Sequence, residues 1–170
     1  MKKTKKVFKI FFAWQDNKEE EWLNDMAVQG WGLKKYALYY EFEKIEPTNY
    51  VYKLDFKAGN HDMDEYKAIF EDAGWEHVAQ YGGWHYFRTV GVQMASPDIY
   101  SDSESKIQKY KSLNKSLVLG LISLFFLTGG FFFDLHSRFS DFSKVAMAAF
   151  MMTVVFGIWK VNQKIRTLKG

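Results

Sequence analysis

The chain has 170 residues, of which 23 are Lys or Arg and 20 are Asp or Glu, giving a formal net charge of +3. It contains no cysteine, which excludes disulfides, thiol catalysis and cysteine metal sites and is typical of a reducing compartment. Residues 1–95 carry 13 basic and 15 acidic residues (net −2), whereas residues 96–170 carry 10 and 5 (net +5). Because the basic excess lies outside the first 95 residues, we expect no nucleic-acid partner.

The first predicted element is a strand that follows a lysine-rich start. The apolar stretch Val7–Trp14 contains Lys9 and has no small-residue cleavage site after it, so it is not typical of a signal peptide. Apolar residues alternate there, then recur at helical spacing, and then alternate again. They are Phe8, Ile10, Phe12 and Trp14, then Trp22, Leu23, Met26 and Ala27, then Tyr36, Leu38, Tyr40 and Phe42. This pattern predicts a strand, a helix and a strand.

The same pattern returns 44 residues later (75 − 31), where Gly74 and Trp75 match Gly30 and Trp31. The second set of apolar positions is Tyr50, Tyr52, Leu54 and Phe56, then Tyr66, Ile69, Phe70 and Ala73, then Val78, Gln80, Gly82, Trp84 and Tyr86. Two such units in series predict an α+β, ferredoxin-like head with the order β-α-β-β-α-β in residues 1–92. Gly82–Gly83 falls inside the last predicted strand, which favours a β-bulge over a phosphate-binding loop.

Both predicted helices have recognisable ends. Each begins with an Asp-x-x-Glu sequence, at Asp16 and at Asp62, which is the spacing of a capping box. Each ends before a glycine, Gly30 or Gly74, as expected for a left-handed C′ residue. The run His61–Glu65 is a tight cluster of possible metal ligands. Because capping and the helix dipole explain its acidic residues, we expect no metal and no other cofactor.

Strand alternation also defines a second sheet face, which points away from the two helices. The candidate interaction residues on that face are Phe11, Lys35, Tyr39, Lys53, His77, Tyr81, His85 and Phe87. Four interpretations stay open for this mixed aromatic and charged face: a surface for a protein partner, a self-association surface, a solvated surface and a catalytic cleft. No nucleophile, base and orienting group occur at a recognisable spacing, so we predict no catalytic residue.

The remainder of the chain is predicted to be a linker with a juxtamembrane helix (residues 93–112) and a transmembrane hairpin (residues 113–170). Two apolar runs of 17 residues, Leu117–Phe133 and Val145–Val161, are just long enough to cross a bilayer. Eight Lys and Arg residues lie at or beyond their outer ends, Lys160 being the last but one residue of the second run, and two lie in the connecting loop. The positive-inside rule therefore predicts an inner-membrane protein with both termini in the cytoplasm and its lysines against membrane lipids.

Small residues in these runs predict close helix packing. Ala149, Thr153 and Gly157 recur every four residues in the second run, and Gly120 follows Ser116 at the same spacing in the first. Packing of the hairpin on itself is the simpler interpretation. Contact with another membrane protein is the alternative.

Several segments together resemble a known family. They are Phe8–Trp14, Glu20–Trp31, Tyr40–Lys44, Tyr50–Phe56, Phe70–Trp75 and Gly82–Arg88. The sequence resembles a bacterial two-span membrane family that is catalogued only as a domain of unknown function. Because members are often encoded beside PadR-type transcriptional repressors, the resemblance implies a part in an envelope-stress or transport response. It implies no active-site residues.

These observations lead to two functional hypotheses. The first is a non-enzymatic integral membrane protein with a cytoplasmic sensory or regulatory head, which acts through protein contacts or self-association. The alternative is a small-ligand-binding or enzymatic ferredoxin-like head that is tethered to the membrane. No sequence feature identifies the ligand, the signal or the partner.

Overall fold

The computed structural model describes residues 3–59, 61–91, 98–100, 102–133 and 141–170, without the side chains of residues 129–133 and 141–142. The chain forms two compact units, residues 1–105 and residues 106–170. The first unit, hereafter the head, is mixed α+β. The second unit consists of two long helices.

The described part of the head contains six strands and two helices. They are β1 (Thr4–Val7), α1 (Asp16–Val28), β2 (Trp31–Tyr36), β3 (Tyr40–Lys44), β4 (Tyr50–Phe56), α2 (Met63–Asp72), β5 (Glu76–Tyr81) and β6 (Trp84–Val90). The strands form two antiparallel sheets with the orders β1-β3-β2 and β4-β6-β5. The head therefore consists of two β-α-β-β halves, and the predicted β-α-β-β-α-β order of a ferredoxin-like head is not confirmed.

The additional strand in each half comes from a turn that the sequence pattern did not reveal. The predicted strand from Tyr36 to Phe42 is interrupted at residues 37–39, which separate β2 from β3. Gly82 and Gly83 connect β5 to β6 in the second half, and both have positive φ angles, 57° and 84°. The prediction of a β-bulge at these glycines is wrong, because two consecutive positive φ angles form a tight hairpin turn.

Strand register shows that the spacing of the repeat changes along the chain. The β2–β3 and β5–β6 ladders are irregular just after Leu33 and just after His77, which are 44 residues apart (77 − 33). Leu33 pairs with Phe42 and His77 pairs with Phe87, so the last strands are 45 residues apart (87 − 42). Because side chains alternate with a period of two, this single extra residue turns His85 and Phe87, which were predicted to point outward, toward α2, whereas Tyr86 keeps its predicted inward position in the larger core.

The first strand is much shorter than predicted. Val7 pairs with Tyr40, the first residue of β3, so the chain after Val7 passes the end of its partner strand. Without that ladder the predicted alternation fails: Phe12 is exposed, whereas Phe11 packs against the core beside Trp22 and Tyr40. The predicted strand Phe8–Trp14 and the inward position of Phe12 are therefore wrong.

Two hydrophobic cores lie on opposite faces of the β4-β6-β5 sheet. The larger core joins α1 to both sheets and consists of Leu23, Met26, Ala27, Leu33, Tyr40, Phe42, Tyr52, Leu54, Ala79 and Tyr86. The smaller core lies against α2 and consists of Tyr66, Phe70, Trp75 and Phe87. Tyr86 and Phe87 are neighbours on β6 and point to opposite faces, so both faces of this sheet are covered.

The helix ends agree with the sequence only at their carboxyl termini. Gly30 and Gly74 follow α1 and α2 with φ angles of 80° and 85°, which confirms the predicted left-handed residues. The predicted capping boxes are wrong. Gln15 precedes α1, so Asp16 is already its first helical residue, and Asp62 precedes α2 in a left-handed conformation without a side-chain capping bond.

The second unit contains α3 (Ser103–Phe133, beginning just inside the head) and α4 (Asp141–Lys169). Both helices are long and apolar enough to cross a membrane, and only 11% of the most apolar window of each is buried. Helices in the core of a soluble protein would be mostly buried, so this exposure favours contact with lipid. Asn114 Nδ2 donates to Asn162 Oδ1 at 3.2 Å, which links the two helices at their polar ends. Of the predicted connecting loop, residues 134–144, residues 134–140 lie outside the described residues, and α4 already begins at Asp141.

Candidate functional site

The structure does not leave the predicted interaction face open. His85 and Phe87 are fully buried, because α2 covers the side of β6 on which they lie. Lys53 Nζ pairs with the Glu20 carboxylate at 2.9 Å, and Phe11 packs on the larger core. The exposed residues of the predicted set are Lys35, Tyr39 and Tyr81, and His77 is partly buried. The parity prediction is therefore wrong for Phe11, His85 and Phe87.

What α2 covers is a group of polar side chains around the buried carboxylate of Asp55. The hydroxyl of Tyr66, which lies on α2, donates a hydrogen bond to Asp55 Oδ2 at 2.6 Å. Tyr100 donates to Asp55 Oδ1, the same oxygen that accepts the Phe56 amide at 2.7 Å. Desolvation and the nearby Asp55 charge raise the pKa of Tyr66 above its usual value, so this phenol stays a donor. Three donors from three segments thus converge on one carboxylate.

Two histidines lie beside this carboxylate. His85 Nδ1 is 3.3 Å from His77 Nε2, and the His85 ring lies 5.0 Å from the Tyr66 ring. Burial, and next the neighbouring His77, lower the pKa of His85 to about 4. Burial, and next Lys67, lower the pKa of His77. Both imidazoles are therefore neutral at pH 7, with one N–H donating to the other ring.

One atom of this pair has no protein partner. His85 Nε2 is buried and makes no hydrogen bond to any described residue, although a buried ring nitrogen normally has a partner. We call the group of Asp55, Tyr66, His77, His85 and Tyr100 the polar cluster. No set of three potential ligands suited to a metal ion occurs among the described residues. The polar cluster can donate and accept hydrogen bonds, but it contains no nucleophile activated by a base.

Sequence reasoning identified the two histidines of this cluster but missed both tyrosines. His77 and His85 occupy neighbouring positions on paired strands, so their alternation alone placed them on one face. Tyr66 was assigned to the apolar stripe of a helix, and Tyr100 lies in a segment without periodicity. The sequence alone gives no signal for Tyr66. Its role depends on its contact with Asp55, a lone carboxylate on a strand, and only the tertiary arrangement shows that contact.

A second buried carboxylate, Glu19, lies in the larger core. Glu19 Oε1 accepts hydrogen bonds from the Tyr40 hydroxyl at 2.6 Å and from the Tyr86 hydroxyl at 2.7 Å. Desolvation raises the pKa of Glu19, although these two hydrogen bonds lower it. The signal in the sequence is that Glu19 shares a helix face with Leu23 and Met26. This group ties α1 to both sheets, so we assign it a structural role.

Helix α1 also covers the outer edge of β4. Asn24 Oδ1 accepts the Tyr52 amide at 2.7 Å, and Glu20 Oε1 accepts the Leu54 amide at 2.9 Å. These side chains take the place of a neighbouring strand, which protects the edge from pairing with another chain. Self-association through the β4 edge is therefore disfavoured.

Large apolar side chains remain exposed at a different place on the head. Five of them lie in the segment after β1 and in the β2–β3 turn: Phe8, Ile10, Phe12, Leu38 and Tyr39, each 47–66% exposed. The Phe8 and Tyr39 rings are 5.7 Å apart, which joins the two segments. We call these five residues the aromatic surface. Exposed apolar groups of this size usually mark a binding surface.

In the second unit, the small residues do not form the predicted stripe of helix contacts. Gly157 is buried, but Gly120, Ala149 and Thr153 are exposed. A methyl group added at Gly120 would meet no atom within 4 Å. The buried contacts of this unit are instead made by larger residues, among them Tyr110, Leu113 and Val161.

Comparison with known proteins gives one match. A family model described as "Protein of unknown function (DUF2812)" matches residues 15–122, which is more than half of the chain and includes α1 through the first part of α3. No curated protein and no solved structure matches.

Proposed function

The chain belongs to the DUF2812 family of proteins of unknown function, and we propose that it is a non-enzymatic, membrane-anchored regulatory protein. Its head acts through contacts with another protein, and the polar cluster controls whether residues 98–100, which directly precede α3 in the chain, stay docked on the rest of the head. The resemblance to a family whose members are often encoded beside PadR-type repressors supports a part in an envelope-stress or transport response. The proposal includes a ferredoxin-like ancestry of the head, since β1 and β2 flank the antiparallel β3 as in a split β-α-β unit.

The membrane part of the proposal is supported by composition and exposure. The most apolar window of each of the helices α3 and α4 is only 11% buried. Lysines and one arginine lie beyond the outer ends of both apolar runs. By the positive-inside rule, both termini and the head are cytoplasmic, and the protein lies in the inner membrane.

The observation that carries the proposal is the docking of residues 98–100 on the head. Ile99 packs against the smaller core, and the Tyr100 hydroxyl donates to the buried Asp55. Helix α3, which leads into the first apolar run, begins three residues later at Ser103. A change in the polar cluster therefore acts on the chain directly before the membrane helix.

The energy of this contact is large enough for regulation. A hydrogen bond to a charged group contributes about 1.5–3 kcal/mol, so its loss changes the ratio of docked to undocked chains by about tenfold or more. A protein that binds at α2, or a ligand that binds at His85, would alter Asp55 and its donors directly. Two-state docking of this kind needs no chemical step.

The test compares Tyr100→Phe with Tyr50→Phe in the full chain. Tyr50 is a matched control because it is partly buried in the same head, as Tyr100 is, and it does not belong to the predicted interaction face. Cross-linking in native membranes followed by mass spectrometry should recover a reproducible partner protein with the wild type. Tyr100→Phe should change that recovery several-fold and accelerate hydrogen exchange at residues 98–105, whereas Tyr50→Phe should do neither.

Two outcomes would contradict the proposal. Recovery of the wild-type chain alone, as a monomer, would show that the head binds no partner protein in these membranes. Faster exchange in Tyr100→Phe with an unchanged partner yield would show that docking occurs but does not regulate.

A second candidate function is the binding of a small ligand by the head. The observation that favours it is that His85 Nε2 is buried and makes no hydrogen bond to any described residue. The neighbouring His77 is partly buried and so remains in part accessible. Native mass spectrometry of the purified full chain should then show a bound small molecule. His77→Gln should lose that molecule, and a wild-type spectrum without added mass would dismiss this candidate.

A further inference from the structure

We propose that the aromatic surface binds the anionic surface of the bilayer in which the protein is anchored. This contact is separate from the partner contact and the docking of Tyr100 proposed above. It depends only on α3 and α4 crossing the membrane.

The first argument is the position of the exposed apolar groups. Phe8, Ile10 and Phe12 lie where the chain has passed the end of β3, so no strand pairs with this segment. Leu38 and Tyr39 lie at the tip of the adjacent hairpin. The Phe8 ring contacts the Tyr39 ring, so the two segments lie side by side, and apolar and aromatic side chains of this kind insert at the boundary between headgroups and acyl chains.

The second argument is charge. Residues 3–12 contain four lysines and no acidic residue, and residues 34–41 contain two lysines and one glutamate. The four lysines at positions 3, 5, 6 and 9 are all exposed. The two segments therefore carry a net charge of +5 (6 − 1), which complements anionic lipid headgroups.

The third argument separates a lipid surface from a protein partner. Lys9 lies between Phe8 and Ile10 in the chain, and Lys35 lies on the strand that leads to Leu38. The centre of a protein interface is depleted in lysine, because its ammonium group loses hydration there. At a membrane the stem of a lysine stays among apolar groups while its charge reaches the headgroups. Anchoring by two helices also keeps the head near the bilayer at high effective concentration.

The experiment uses the absence of cysteine in the chain. Ile10→Cys and, as a matched control, Ile69→Cys are labelled with an environment-sensitive fluorophore in the full chain. Ile69 is a suitable control because it is 61% exposed, compared with 66% for Ile10, and it lies on α2. The proteins are reconstituted in phosphatidylcholine vesicles with or without about one third phosphatidylglycerol, and quenching by lipid-borne bromine is measured.

The label at position 10 should be quenched about threefold more strongly in the anionic vesicles than in phosphatidylcholine alone, and high salt should reduce the difference. The label at position 69 should show no such difference. A Lys6→Gln, Lys9→Gln, Lys35→Gln variant should abolish the effect at position 10, since each lysine contributes about fivefold to partitioning.

Three results would overturn the proposal. Equal quenching at positions 10 and 69 in both lipids would show that the aromatic surface stays in water. If the label at position 10 is protected from water in a way that depends on the protein-to-lipid ratio, and not on lipid charge, a second copy of the chain covers the aromatic surface. If the label is protected from water only in native membranes, a protein partner covers it.

Discussion

Truncation of Phe87 tests the most consequential difference between the predicted and observed head. Phe87 is fully buried, and its ring lies 4.5 Å from that of Phe70 and 6.1 Å from that of Tyr66. A buried phenylalanine removes about 200 Å² from water, which at about 25 cal/mol/Å² sets a ceiling of about 5 kcal/mol. Since alanine retains part of this area and leaves a cavity, we expect Phe87→Ala to cost about 3–5 kcal/mol.

Phe12→Ala is the matched comparison. The sequence predicted Phe12 to be buried and Phe87 to be exposed, whereas Phe12 is 47% exposed and contacts Trp14 by stacking at 4.8 Å. With about half the area to lose and no closed cavity to form, this substitution should cost at most about 2 kcal/mol.

The assay is equilibrium urea unfolding of the full chain in detergent micelles, followed by the near-ultraviolet circular dichroism of the head. With a slope of about 2 kcal/mol/M, Phe87→Ala should lower the midpoint by about 1.5–2.5 M. Phe87→Leu, which refills most of the volume, should recover more than half of that loss. If Phe12→Ala lowers the midpoint as much as Phe87→Ala does, the observed side-chain alternation is refuted, and with it the exposure of the aromatic surface.

Three further predictions concern other parts of the chain. Tyr86→Phe removes one of two donors to the buried Glu19 and should cost about 1–3 kcal/mol in the same assay; an unchanged midpoint would show that this hydroxyl contributes nothing. Burial and His77 hold the pKa of His85 at about 4, below its unfolded value of about 6.5, so the unfolded chain binds the proton first. Stability should therefore fall by up to about 3 kcal/mol as the pH drops from about 6.5 to about 4, and His85→Gln should flatten this dependence. A cysteine at Ser137 should react with an impermeant thiol reagent outside intact cells and one at Ser103 should not; the reverse pattern would invert the proposed topology.

The sequence was sufficient for the two head helices, for their carboxyl ends and for the two C-terminal helices, whereas the helix starts and the turns at residues 37–39 and at Gly82–Gly83 were not predicted correctly. The apolar runs of α3 and α4, the stripe of α1 and the glycines that end α1 and α2 follow from local spacing and backbone sterics, whereas Ile69 of the predicted α2 stripe is exposed. The duplication of the head was also visible, because Gly30 and Trp31 return 44 residues later as Gly74 and Trp75. The structure confirms the predicted α+β class of the head and the predicted pair of C-terminal helices.

Only the tertiary structure decided which faces are buried. In the second half, the one-residue change in repeat spacing at the β5–β6 turn reverses the orientation of Phe87, because strand orientation depends on the parity of the count. In the first half, β3 ends opposite Val7, so the segment after Val7 has no partner strand among the described residues. Phe11 therefore packs on the core and Phe12 is exposed, which is the reverse of the prediction. No local pattern records where a partner strand stops.

The candidate site shows the same division. His77 and His85 could be placed together from the sequence, since strand pairing brings their positions side by side. Tyr66 and Tyr100 reach Asp55 from a helix and from a nonperiodic segment, 11 and 45 residues away in the chain. Contacts between such distant residues leave no periodic signal in a single sequence, because they are selected by the packing of whole elements. The sequence by itself therefore determined the helices and the duplicated α+β pattern of the head, and tertiary packing decided the strand boundaries and the site.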